Sequence, residues 1–309
     1  MVFFAMSSQY WKYPRSNLAL AQQWLRRVGA PLPFILEEVN KRMVARAQIM
    51  RPVEGGVVHQ GWLHPATLSE VKSLFVGRPF TVFAPRAIEL PVASVDRAAA
   101  SFLAKLWPGR SAAPKASHAT ALVVNSPLPL VDASQAMVWS PLWLHCVEDP
   151  GQQLAEWLRV LKPEGGVFFS CFGPDTAKEL QGVALSLGED FPDFADMHDI
   201  GDLMGKQGFS DPVMEMEKLT LTYTTPEKLL ADWRALVGNP LQQRQKGLCA
   251  PVRYSEALIY LEGLRNPDTG RIPLTLELVY GHAWKVKRMA KTDIATVKVS
   301  DIKGRKGSK

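Results

Sequence analysis

The sequence predicts an α/β fold with a mostly parallel sheet, and three observations lead there. Short β-branched or aromatic runs alternate with amphipathic stretches through the middle of the chain, as crossover βαβ units require. Beyond residue 175 the rhythm changes to alternating strand-like segments separated by helices, which suits an antiparallel C-terminal edge. The size and make-up, 309 residues with 47% hydrophobic and 21% charged, fit a globular protein of one large α/β domain with an appendage, or of two modest domains.

Taken in order, residues 1–50 are expected to form an N-terminal helical extension. It holds "NLALAQQWLRRVG" and then "PFILEEVNKRMVARAQIM", where Ile35, Val39, Met43 and Ala47 recur at steps of four on one helix face. Pro52 and Gly55-Gly56 stop that helix. The main domain is expected over 51–285. "GVVHQ" reads as a short strand. "ATLSEVKSLF" reads as a helix, with Thr67 as N-cap and Glu70 at the capping-box spacing. "PFTVFA" is a strand, "SVDRAAASFLAKLW" a helix, and "HATALVVN" and "AMVWS" are strands. "DPGQQLAEWLRVLK" is a helix capped by Asp149 with Pro150 at its first position. "PEGGVFFSCF" turns into a strand, and "PDTAKELQGVALSLG" and "DMHDIGDLMGKQGF" are helices, the second ended by Gly208. "EKLTLTY" alternates as a strand does. Thr225 and Pro226 open the helix "TPEKLLADWRALVGN", a further helix follows in "YSEALIYLEGLRN", and "PLTLELVYGHAWKV" is a last, long strand.

The net charge of +6 is not spread over the chain. Residues 285–309 hold nine Lys and Arg against two Asp, so the body is close to neutral and residues 286–309 are expected to be a basic, disordered tail. That tail lacks the interleaved aromatic residues of a nucleic-acid platform, so nucleic acid is not an expected partner. Cys146, Cys171 and Cys249 are far apart and form no CxxC pair, which argues against a disulfide framework or a structural zinc site. His59 and His64 lack further ligands at a metal-binding spacing, so no metal is expected. No apolar run approaches the length of a membrane span, and the opening "MVFFAM" is too short for a signal core, so a cytoplasmic setting is expected, with an organelle matrix as the alternative.

The stretch 128–180 carries a resemblance. It contains an "LP" turn, a strand ending in Ser140, a helix opening on Asp149-Pro150, and "LRVLKPEGG" leading into a strand. This looks like the second half of an S-adenosylmethionine-dependent methyltransferase domain. "FGPDTAKEL", "FPDFADMHDIGDLMGKQGFSDPV", "LTLTY" and "PLTLELVYGHAW" are more specific. Together they resemble the biotin-pathway malonyl-acyl-carrier-protein O-methyltransferases and their mitochondrial relatives, the complex I assembly hydroxylases. The resemblance runs over roughly 33–285, strongly after 128 and weakly before it. It implies a Rossmann-like, seven-stranded methyltransferase sheet, mostly parallel with an antiparallel C-terminal edge, and S-adenosylmethionine held outside the carboxyl ends of the strands. It also implies an acyl carrier protein or other protein partner.

The departures lie in the first strand and the loop after it. The family's pattern there is D-x-G-x-G-x-G, whose glycines let the backbone approach the cofactor. Here the aligned residues are His59, Gln60, Gly61, Trp62, Leu63, His64 and Pro65. The acid expected at the end of the second strand falls on Ala84, with Glu89 five residues later as the substitute. The family's adenine contact aligns with Asn125 and Ser126, and the Asp opening the fourth strand with Ala136. Cofactor contacts, if retained, are therefore expected from His59, Gly61, Glu89, Asn125, Ser126 and Ser140. His145, Asp175 and Thr176 fall on the same rim and are the substrate-side candidates, with a helix cap as the plainer role for Asp175 and Thr176. Arg234, Arg253 and Arg271 are candidates for a carboxylate- or phosphate-facing patch.

Two readings follow. In the first the chain is an impaired or inactive member of that family, acts as a binding or assembly partner and uses no cofactor. In the second it is an active carboxyl O-methyltransferase with a divergent cofactor loop, using S-adenosylmethionine. A carboxylate acceptor is already ionised at neutral pH, so the absence of a general base does not count against the second. Hydroxylation finds no iron triad in the sequence. The catalytic residues and the oligomeric state are not legible.

Overall fold

The computed structural model describes residues 33–62, 65–83, 88–89, 118–119, 127–187, 191–236 and 251–287. The first helix, α1, spans Pro33–Ala47. Its stripe of Ile35, Leu36, Val39, Met43 and Ala47 is buried, in line with the step-of-four spacing, and each of the four larger side chains stabilises docking by roughly 1.5–3 kcal/mol. Its polar face supplies an ionic clasp to the far edge of the sheet. Arg42 meets Glu217 at 2.9 Å and Arg46 meets Glu215 at 2.8 Å. The Arg46 guanidinium lies 4.3 Å from the Tyr280 ring centroid, and the Tyr280 hydroxyl donates to Glu217 at 2.7 Å.

The remaining elements are β1 (Gly56–Gln60), α2 (Pro65–Leu74), β2 (Phe80–Phe83), β3 (Ile88–Glu89), β4 (His118–Ala119), β5 (Gln135–Ser140), a short turn of 3-10 helix (Leu144–Cys146) and α3 (Pro150–Val160). They continue with β6 (Leu161–Phe172), α4 (Lys178–Leu187), α5 (Met197–Gln207), β7 (Phe209–Tyr223), α6 (Pro226–Leu236), α7 (Pro251–Gly263) and β8 (Ile272–Lys285). Six strands form the main sheet in the order β2-β1-β5-β6-β8-β7. The pairs β1–β2, β1–β5 and β5–β6 are parallel, whereas β6–β8 and β7–β8 are antiparallel. This is the predicted mostly parallel sheet with an antiparallel C-terminal edge.

Three details differ from expectation. The seventh strand, expected at 118–125, contributes only His118–Ala119 among the described residues, and these pair antiparallel with β3 in a separate ladder. Helix α2 starts at Pro65, so Thr67 lies inside its first turn instead of capping it. Glu70 accordingly does not close a capping box; its carboxylate accepts from the Asn40 amide of α1 at 2.9 Å. The strand read from "EKLTLTY" is the second half of a 15-residue strand, β7, which crosses Asp211 at φ 50 and Pro212 by an irregularity in its pairing with β8. The stretches "NLALAQQWLRRVG" and "SVDRAAASFLAKLW" and the tail beyond 287 lie outside the described residues.

The two faces of the sheet build two cores. One packs α1 and α2 with Val57, Met137, Trp139, Phe168, Leu276, Leu278 and Tyr280. The other packs α3 and α5 with Val58, Val138, Val167, Phe169, Val279 and Ala283. Asp149 caps α3 by accepting from Gln152 N–H at 3.0 Å, with Pro150 behind it as predicted. Asp196 caps α5, and Gly208, at φ 100, ends it.

Candidate functional site

Parallel strands deliver their carboxyl ends to one rim, where open α/β sheets bind ligands. Here β1 ends at Gln60, β5 at Ser140 and β6 at Phe172, so the segments after them, 61–62, 141–149 and 173–177, frame the candidate site.

At the end of β1, His59 and Gln60 are both buried. His59 stands beside Trp139 of β5, and burial holds its pKa down at about 3, so it is neutral. Gln60 points to the opposite face, toward α3. Its amide donates to Gln153 Oε1 at 3.1 Å, and its carbonyl accepts from Gln153 Nε2 at 3.1 Å and from the Trp157 indole at 2.6 Å. Gly61 has φ 140, a conformation L side chains rarely adopt, and a Cβ there would lie 2.6 Å from the Pro141 carbonyl oxygen. Trp62 is only 5% exposed and joins the α1-side core. Its indole hydrogen-bonds Cys146, whose thiol burial pushes up to about 12.

At the end of β5, Ser140 is fully buried. Leu142 takes φ 46, a strained choice for a bulky residue, and its N–H donates to Ser170 Oγ at 3.0 Å. Four enclosed polar atoms at this rim have no partner among the described residues: His59 Nδ1, Trp139 Nε1, Ser140 Oγ and Trp143 Nε1. Buried polar groups are normally satisfied by protein, water or ligand, so their concentration at the ends of β1 and β5 marks the rim as the candidate site.

His145 lies on the short turn after β5, packed against Phe172 at 4.5 Å and Phe194 at 5.8 Å between ring centroids. Its Nδ1 accepts from the Phe172 N–H at 3.3 Å. Burial lowers its pKa to about 3, so the ring is neutral. With Nδ1 acting as acceptor, the single proton is on Nε2. After β6, the Asp175 carboxylate pairs with Lys218, which holds its pKa below the ordinary carboxylate value. Thr176 is fully buried, and its hydroxyl donates to the Glu277 carbonyl and accepts from the Glu277 N–H, both at 3.1 Å.

Sequence reasoning missed Glu277. It is 5% exposed, on β8 within an otherwise apolar run. One carboxyl oxygen accepts from Asp175 N–H at 3.2 Å; the other occupies the space a side chain at Gly173 would need, 2.4 Å from a Cβ built there. Burial pushes its pKa up. The signal was a lone acid between Leu276 and Leu278. Glu89 sits on β3, but its side chain is outside the described part, as are Leu63, His64, Ala84, Asn125 and Ser126 entirely. Ala136 is wholly buried in β5. Arg234 lies on α6, 5.7 Å from the Tyr254 ring of α7, and Arg253 is on α7 itself. Among the described residues no group of three His, Cys, Asp or Glu is placed to hold a metal ion, and no helix is long and apolar enough to cross a membrane.

A methyltransferase domain model matches residues 77–169. Among curated proteins, the chain is similar to the malonyl-[acyl-carrier protein] O-methyltransferase of Halorhodospira halophila, 44% identical over 161 residues that cover 51% of this chain and 54% of that protein. The enzyme of the same name from Gallionella capsiferriformans is 42% identical over 177 residues, 56% of this chain and 60% of that protein. The chain thus spans about half the length of the curated relatives it matches. Among solved structures, a methyltransferase-titled protein from Bacillus halodurans aligns with TM-score 0.47 at 12% identity, over 81% of this chain and 100% of that one. The resemblance read from the motifs is therefore found in the matched sequence as well. The domain-model match starts at residue 77, after β1, the loop following it and α2.

Proposed function

We propose that this chain is a methyltransferase-fold protein of the malonyl-acyl-carrier-protein O-methyltransferase type that binds S-adenosylmethionine weakly or not at all and acts through binding. The observation that carries the reading is Trp62. It stands where the resembling family has a cofactor-loop residue, and its buried side chain is tied to Cys146 across the rim. His59 stands where the family has an acid, and a neutral buried imidazole cannot stand in for a carboxylate. These residues do not fit the cofactor. The match that begins past this loop supports the same view.

Losing two charge-assisted hydrogen bonds to a ligand, at roughly 1.5–3 kcal/mol each, weakens binding about a hundredfold or more. Calorimetric titration with S-adenosylhomocysteine tests this. The expected result is no saturable heat at micromolar concentrations. A low-micromolar dissociation constant would overturn the reading and favour an active carboxyl O-methyltransferase. Trp62→Gly is expected to loosen the rim without restoring tight binding, since His59 is unchanged.

A further inference from the structure

The most exposed apolar side chains lie at the end of the sheet opposite the candidate site. Parallel strands that deliver their carboxyl ends to one rim all start at the other, so the segments before β1, β2, β5 and β6 share that second end. Strand β8 runs antiparallel to β6 and pairs Trp284 with Gly166, so its last residues arrive there too. Hydrogen bonds stitch these segments side by side. Arg78, before β2, donates to the Pro52 carbonyl, before β1, at 3.0 Å. Lys162 donates to the Glu54 carbonyl at 2.9 Å, and Arg159, in the last turn of α3, to the Leu130 carbonyl at 2.9 Å. Lys285 donates to the Leu158 and Leu161 carbonyls, both at 2.7 Å.

Ile49, Val76, Val131 and Val286 stand on this stitched end, between 52% and 81% exposed. Val76 and Ile49 are the most exposed large apolar side chains among the described residues. A single exposed aliphatic is ordinary, but one on each of four neighbouring segments is a shared property of this end. Around them the segments 48–55, 75–79, 128–134, 161–165 and 285–287 hold Arg51, Arg78, Lys162, Lys285 and Lys287 against Glu54, Asp132 and Glu164. Asp132 and Glu164 each pair with a cation, Arg159 and Lys287. The chain goes on from Lys287 at this same end, and residues 288–309 add seven Lys and Arg against two Asp.

Charge and apolar tips together select the partner. The aliphatics are set among charged residues and are not gathered into the dry central patch that a protein partner fills. A phosphate backbone matches the cations but offers aliphatic tips nothing. A lipid interface accepts scattered tips without shape matching, and anionic headgroups attract the cations around them.

We propose that this end of the sheet docks on an anionic lipid surface, with Ile49, Val76, Val131 and Val286 entering the headgroup boundary and the surrounding Lys and Arg, those of 288–309 included, neutralising the headgroups. The candidate site lies at the far end of the strands and stays on the aqueous side, so the proposal is independent of how that site is read.

The test is sedimentation of the full chain with vesicles of phosphatidylcholine, alone or with about one third phosphatidylglycerol. The expected result is binding to the anionic vesicles only, weakened at least about tenfold between about 0.05 M and about 0.5 M salt. Ile49→Ser/Val76→Ser/Val131→Ser leaves every cation in place and is expected to weaken that binding by about tenfold or more. Arg51→Glu/Lys287→Glu keeps the aliphatic tips and is expected to weaken it by a similar factor. Val252→Ser/Ile259→Ser, at exposed positions on α7, is expected to leave it within about twofold. No binding to the anionic vesicles, equal binding to the neutral ones, or a triple variant that binds like wild type would each overturn the proposal. Binding of poly-glutamate or DNA that the triple variant weakens as much would overturn it in favour of an acidic polymer. A wild-type dimer that the triple variant dissolves would overturn it in favour of a second copy of this chain.

Discussion

Gln60→Leu removes a buried amide that three atoms on α3 depend on. In the native chain Gln60 exchanges two hydrogen bonds with Gln153 and accepts a third from the Trp157 indole. Leucine preserves much of the volume but strands both polar atoms of the Gln153 amide and the Trp157 N–H in an interior where Gln60, Gln153 and Trp157 are at most 2% exposed. Each stranded group costs about 1–3 kcal/mol, and because the three are neighbours their costs overlap, so the expected loss is about 3 kcal/mol. Urea unfolding read by Trp fluorescence measures it, as a lower midpoint with an unchanged slope. The double variant Gln60→Leu/Gln153→Leu leaves only the indole N–H unpaired and is expected to be more stable than the single one by about 1–2 kcal/mol. A single variant within about 0.5 kcal/mol of wild type, or a double variant less stable than the single, would refute the reasoning.

Two further outcomes are expected. The folded pKa of His59 is lowered to about 3, against an unfolded value near 6.5. The unfolded chain therefore takes up a proton below about pH 6.5 that the folded chain refuses, so stability is full above that pH and falls as pH drops toward 3. Between pH 7 and pH 5 this amounts to about 2 kcal/mol, beside a similar contribution from His145; His59→Leu should make that part of the urea-midpoint profile shallower by the His59 share, and an unchanged slope would count against the burial of His59. Gly61→Ala puts a methyl group 2.6 Å from the Pro141 carbonyl at φ 140, and a loss of at least about 1–3 kcal/mol is expected by the same assay, a neutral result being incompatible with this approach of β1 to the loop after β5.

Much of the architecture was legible because it is local. The step-of-four stripe of α1, the Asp149-Pro150 start of α3, the Gly208 stop of α5 and the Thr225-Pro226 start of α6 are each written in a few consecutive residues. What went astray depended on partners distant in sequence. Thr67 and Glu70 have capping-box spacing, yet Asn40 of α1, 30 residues before Glu70, takes the Glu70 carboxylate. The first half of β7 reads poorly as a strand because Asp211 and Pro212 interrupt it; pairing with β8 carries the strand through.

The site was legible on one side only, and the reason is chemical. The departure of residues 59–65 from the resembled pattern is visible as letters and could be set out from the sequence directly. Glu277 is marked only as a lone acid between two leucines, and its role is made by contact with Gly173 and Thr176, about a hundred residues away. His145 was placed on the rim by its position after a strand, but position alone does not say which nitrogen bears the proton; the Phe172 N–H supplies that. Asp175 and Thr176 were read together, and the fold separates them. Thr176 is consumed in pinning the turn to β8, while Asp175 faces outward and holds Lys218. Neutralising Lys218 leaves His145 and Glu277 to set the polarity of this half of the rim. That polarity follows from pairing among four elements, the turn after β6, β7, β8 and the segment before α5, and no one of those segments encodes it.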